Sequence, residues 1–123
     1  MAQMFSSCSQ LSLSIISNFN TSNVTNMGNM FKSCSQLSSL NLSNFYTSKV
    51  TNMAQMFSSC SQLTYLNLKN FIENNSLDIT NIFGGVPDNI VVCLHENNNN
   101  ILNHIKNKKC YNIDCSDNYN KKI

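Results

Sequence analysis

The segment Met1-Ala-Gln-Met-Phe-Ser-Ser-Cys-Ser-Gln-Leu11 returns nearly unchanged at Met27–Leu37 and again at Met53–Leu63, a period of 26 residues. Phe19, Phe45 and Phe71 keep the same interval, and Phe83 carries the series Phe5, Phe31, Phe57 into a degenerate fourth copy. A period of this length restricts the chain to stacked repeats, in which each unit covers the apolar face of its neighbour.

Two spacings coexist within one repeat. Met27, Met30, Phe31 and Cys34 fall at i, i+3, i+4 and i+7, which predicts a two-turn helix near 27–34 and its equivalent near 53–60, with Thr25 or Asn26 as N-cap. The pair Leu40 and Leu42 has period two, which predicts strands near 39–43 and 65–69 with Leu40, Leu42, Leu66 and Leu68 inward. Neither a two-turn helix nor a five-residue strand is stable alone in water, so stacking must bury both, with Phe31 and Phe57 in the core. The expected fold is an α/β repeat: a leucine-rich-repeat-like solenoid with short parallel strands on one face and short helices on the other.

The pattern weakens at both ends. In the first copy Ser14 stands where later copies have Leu40 and Leu66, so its register is open between an inward Ile16 and an inward Leu13 and Ile15. After Phe83, Gly84-Gly85-Val86-Pro87 breaks the helical signal, which places the end of the array at residue 85 and assigns 86–123 to a small C-terminal α/β cap. In that cap, residues 89–94 have the β-branched content of a final strand, and residues from about 98 to 108 read as a helix with Ile101, Leu102 and Ile105 on one stripe.

Charge and composition exclude several classes of function. Eight Lys and no Arg against six acids give a net charge of +2, far from the basic surface that phosphate-backbone binding needs, so no nucleic-acid partner is expected. No apolar run approaches the roughly 20 residues of a membrane span, and the N-terminus has neither a basic nor an apolar leader region. Before Glu73 the chain holds no Asp or Glu, so its Ser and Asn columns lack any base to activate them; neither catalysis nor a cofactor is expected. The enrichment in Asn and Ser reads as genome base composition, and the sequons at Asn20, Asn23, Asn41 and Asn74 are mostly the accidents such a composition produces.

The residues Met27-x-x-Met-Phe-x-x-Cys-x-x-Leu-x-x-Leu-x-Leu-x-x-Phe45-x-Thr-Ser-x-Val-Thr-Asn52 resemble the repeat of BspA-like leucine-rich-repeat surface proteins of bacteria and protists. The resemblance covers residues 1 to 83, and the segment from Val86 to Tyr119 is similar to the one that closes such arrays in protist members. It implies a secreted or cell-surface molecule concerned with adhesion or protein binding, and no catalytic activity. The chain starts flush with a repeat, which suggests a fragment, a truncated product, or an uncapped end that self-associates.

Cys8, Cys34 and Cys60 share one position of the repeat. They read as a ladder of small buried side chains, with a disulfide between rungs or a thiolate metal site as alternatives. Cys93, His95, His104, Cys110 and Cys115 form the one cluster with metal-ligand character, but their spacing matches no strong zinc signature; a disulfide from Cys93 to Cys110 or Cys115 is the alternative in an oxidising compartment.

What remains is the outward strand face, whose columns are Leu13/Ser39/Tyr65, Ile15/Asn41/Asn67 and Ser17/Ser43/Lys69. Leu13, Ile15, Ser39, Asn41, Ser43, Tyr65, Asn67 and Lys69 are therefore the candidate binding residues for a protein or cell-surface partner, with Tyr65 as aromatic anchor. The same pattern also fits solvated strand residues of a structural spacer or truncated remnant with no ligand of its own. A third reading, an ice or carbohydrate binder, uses the Thr21/Thr47 and Thr25/Thr51 columns, although the third copy loses both threonines.

Overall fold

The computed structural model describes residues 2–7, 19–94 and 99–105. Period-two patterning places β1 at Ser39–Asn41 and β2 at Tyr65–Asn67, and the β-branched run after Ile90 supplies β3, Val91–Cys93. The three pair in parallel in the order β1-β2-β3. Ser39 faces Tyr65 and Tyr65 faces Val91, while Asn41 faces Asn67 and Asn67 faces Cys93, so each strand comes from the next copy of the repeat. Leu40, Leu42, Leu66 and Leu68 point inward and are fully buried together with Phe31 and Phe57, as the patterning predicts.

The helices expected at 27–34 and 53–60 are absent. In their place, Asn29 and Ser33 (φ 58° and 62°) and Gln55 and Ser59 (φ 57° and 63°) put a left-handed residue at every fourth position, which no α-helix accommodates. Between these residues the chain makes overlapping turns, with Met30 N–H donating to Met27 C=O, Lys32 to Asn29 and Cys34 to Phe31. The N–H groups left over turn towards the following repeat: Met27 donates to Asn52, Asn29 to Ala54, Phe31 to Met56 and Ser33 to Ser58, at 2.7–3.0 Å. The same polarity holds from Gln3, Phe5 and Ser7 onto Gly28, Met30 and Lys32, and from Met53, Gln55, Phe57 and Ser59 onto Asp78, Thr80, Ile82 and Gly84.

The reason a ribbon of turns replaces a helix is spacing. Strands pair about 4.8 Å apart, whereas an α-helix with its side chains is about 10 Å across, so stacked helices would splay the repeats on one side. Direct backbone bonding keeps the repeats equally close on both sides. It aligns Phe5, Phe31, Phe57 and Phe83 in one column, with successive ring centroids 5.5, 5.9 and 5.8 Å apart and planes within 12°. Met27, Met30, Phe31 and Cys34 are all buried, so the ribbon turns the same residues inward that a helical stripe would.

Gly84 and Gly85 continue this ribbon instead of ending it. Gly85 (φ 78°) takes the left-handed position held by Ser33 and Ser59, and Ser59 N–H donates to Gly84 C=O at 2.6 Å. The register therefore runs past residue 85, where the array is expected to end, and reaches Cys93 in β3.

Side-chain staples reinforce the stack. The buried Thr47 hydroxyl accepts Ile72 N–H at 2.8 Å and lies 3.0 Å from Ile72 C=O, to which it donates; Thr21 does the same with Tyr46 at 2.8 and 3.2 Å. Asn20, Asn26, Asn41, Asn52, Asn67 and Asn74 each accept the backbone N–H two residues on, closing an Asx turn that starts the next segment. At these positions Asn has a structural role, which replaces base composition as the explanation for them.

The described residues also include α1, Asn99–Ile105, within the helix expected from about 98 to 108; residues 98 and 106–108 of that expectation lie outside the described residues. The Glu73 carboxylate accepts the N–H groups of Asn100 and Ile101 at 2.9 and 3.1 Å, capping the helix where its backbone donors lack partners, and Ile101 is buried. The side-chain placements expected for Leu102 and Ile105 fall outside what the structure describes.

Candidate functional site

Alternation along β1 sends Ser39 and Asn41 outward, where both are exposed, while Leu40 between them is buried. Asn41 Oδ1 accepts Ser43 N–H at 2.9 Å, and in the next repeat Asn67 Oδ1 accepts Lys69 N–H at 3.0 Å. These two bonds fix the orientation of each carboxamide, and the Asn67 side chain is in addition hydrogen-bonded with Tyr65. Asn70 Nδ2 donates to Ser43 C=O and ties the Ser43 and Lys69 turns together.

The face is not uniformly open. Ser43, Tyr65 and Lys69 are half-buried and Asn67 is only 9% exposed. In the same columns on β3, Val91 and Cys93 are buried, so the accessible part of the face lies on β1 and the adjoining edge of β2. This corrects the expectation that Asn67 is an open contact residue. Burial pushes the Tyr65 phenol above its usual range, partly countered by a hydrogen bond with the Asn67 side chain. Leu13 and Ile15 lie outside the described residues.

Tyr46 and Ile72, one repeat apart, are 60% and 55% exposed just beyond the buried Phe45 and Phe71, and sequence reasoning passed over them. No pattern in the sequence marks them, because they follow an inward Phe in a segment without periodicity. The Thr21/Thr47 column is buried and engaged in the staples, which removes it as a ligand surface; Thr25 and Thr51 are exposed.

The cysteine ladder is a set of hydrogen-bond donors. Cys34 Sγ donates to Phe5 C=O at 3.0 Å and Cys60 Sγ to Phe31 C=O at 3.1 Å, each reaching back one repeat; neither is in a disulfide, and both are buried. A hydrogen bond with the Cys34 thiol, together with burial, pushes the Cys60 thiol far above its ordinary range, which favours the neutral thiol over the thiolate. Cys8 lies outside the described residues. Cys93 is disulfide-bonded, and His95, Cys110 and Cys115 lie outside the described residues. His104 is exposed on α1, its Nδ1 3.0 Å from Asn100 C=O. Among the described residues no three His, Cys, Asp or Glu side chains are grouped to hold a metal ion, and no helix is long and apolar enough to cross a membrane.

Parallel strands one repeat apart, a continuous core and a polar outer face define a repeat protein with an open three-stranded sheet. The chain belongs to the family described as Mycoplasma protein of unknown function, DUF285, which matches residues 1–90, consistent with the BspA-like character of the motif. No curated protein and no solved structure matches the chain.

Proposed function

We propose that the chain is a non-catalytic interaction module of a surface or extracellular protein: a stacked solenoid that holds a partner against the outward face of β1 and β2. The observation that carries this reading is the column Ser39–Asn41, exposed on a sheet whose inner side is completely buried. A rigid backbone with preoriented polar groups loses little entropy on binding, so even modest contacts retain specificity. The repeat family and the BspA-like motif support a surface location, and the Cys93 disulfide fits an oxidising compartment.

The test is binding of the labelled full chain to a panel of cultured epithelial cells and matrix proteins. Asn41→Arg and Ser39→Arg, if folded, should abolish binding that Ser48→Arg retains, since Ser48 is exposed away from the sheet. Equal binding by all variants, or none by the wild type, would leave the structural-spacer reading in its place.

A further inference from the structure

The sequons that begin at Asn20, Asn23, Asn41 and Asn74 are not equivalent once the chain is folded. Asn20 is exposed, its Oδ1 accepts both the N–H and the hydroxyl of Ser22, at 3.1 and 2.7 Å, and its NH2 donates to no described residue. Both bonds span two residues only, so this turn forms without the rest of the stack. Two donors on the oxygen polarise the carboxamide and make its N–H protons easier to lose. At Asn41 and Asn74 the oxygen takes the N–H of Ser43 or Ser76 and no hydroxyl, and Asn74 Nδ2 is committed to Val50 C=O in the neighbouring repeat. Asn23 Oδ1 is taken by the Lys49 ammonium at 2.9 Å.

The surroundings of Asn20 supply an independent observation. Thr21 bonds both the N–H and the C=O of Tyr46, and Thr47 those of Ile72, so the register sets Tyr46 beside Asn20 and Ile72 beyond it. Tyr46 and Ile72 are large apolar side chains left exposed in an array whose other apolar columns are buried. A sugar linked to Asn20 reaches them, with its C–H face on the aromatic ring and its hydroxyls in water. We propose that Asn20 is the acceptor of an N-linked glycan, transferred as the chain passes through a secretory compartment, and that its first sugars cover Tyr46 and Ile72. Asn20 Nδ2 forms a bond to the anomeric carbon of a lipid-pyrophosphate-linked oligosaccharide. The bond from that carbon to the pyrophosphate oxygen breaks, the lipid pyrophosphate leaves with the electron pair, and a base of the transferase takes one amide proton. The inference rests on the surface or extracellular reading and adds a covalent modification to it.

The experiment sends the full chain, behind a cleavable leader, through the secretory pathway of cultured mammalian cells. Amidase release of glycans in ¹⁸O-water, followed by peptide mass mapping, marks each formerly occupied Asn as a labelled Asp. The expected result is more label at Asn20 than at Asn23 or Asn41 and none at Asn74, with the Asn20 label lost in Ser22→Ala and kept in Ser22→Thr. In the glycosylated protein, sugar protons should show Overhauser contacts to the Tyr46 ring that vanish when the glycan is released. An unlabelled Asn20, label at Asn41 or Asn74 equal to that at Asn20, or a glycan without contacts to Tyr46 would overturn the proposal. Cell binding that depends on Asn41 while Asn20 stays bare removes the glycan and leaves the interaction surface standing.

Discussion

Phe31 and Phe57, one repeat apart, stack with ring centroids 5.9 Å apart and planes 3° from parallel. Two neighbouring repeats are therefore related by almost pure translation at this column, and a core residue in the middle of the array meets equivalent neighbours on both sides. Leu42, fully buried, is such a residue. Leu42→Ala should cost about 2–5 kcal/mol by removing packing and leaving a cavity that neighbours on both sides cannot fill, as measured by urea denaturation. A loss under about 1 kcal/mol would mean that the site collapses, against the packing described.

Thr47 accepts Ile72 N–H and donates to Ile72 C=O. Thr47→Val keeps the shape and removes both bonds, leaving a backbone donor without its partner, and should destabilise by about 1–2 kcal/mol. Thr47→Ser keeps the hydroxyl and should lose less than Thr47→Val. A Thr47→Val loss smaller than that of Thr47→Ser would show that the methyl contact, not the staple, matters.

Cys34 and Cys60 are buried donors to Phe5 and Phe31 carbonyls. In the folded protein neither thiol should react with an aromatic disulfide reagent at neutral pH, and both should react on unfolding in urea. Rapid labelling of Cys60 in the native state would contradict its burial and its raised thiol pKa.

Asp78 occupies the column of Asn26 and Asn52, and the Thr80 hydroxyl and N–H, each bonded to its carboxylate, hold it below the usual carboxylate range. A depressed folded value means that its contribution is present above the unfolded value and is lost as pH falls through the folded one. Asp78→Asn, the residue of the earlier copies, should flatten the acid limb of the stability curve and leave neutral-pH stability little changed. An unaltered acid limb would show that the Thr80 bonds do not persist in solution.

The strands were legible because only an alternating backbone puts Leu40 and Leu42 on one side. The first half of each repeat does not reveal its conformation in sequence, because Met27, Met30, Phe31 and Cys34 point inward equally well from a helix or from a ribbon with a left-handed residue at every fourth position. Ser33, Gln55 and Ser59 gave no warning, since glycine or asparagine is the usual mark of that conformation. Gly85 carries the mark, but Gly84-Gly85 before Pro87 has the composition of a terminator as well. On the candidate face, Ser39 and Asn41 followed from period two, whereas the burial of Asn67 depends on tertiary surroundings that spacing does not encode.

The central structural claim is that the side opposite the sheet is bonded from repeat to repeat, which keeps the outer face aligned. Scalar coupling across hydrogen bonds, measured by NMR on ¹³C,¹⁵N-labelled protein, reads it directly. The account predicts a correlation from Phe31 N to the Met56 carbonyl, matching the 3.0 Å bond. A correlation from Phe31 N to the Met27 carbonyl would instead report an α-helix and contradict it.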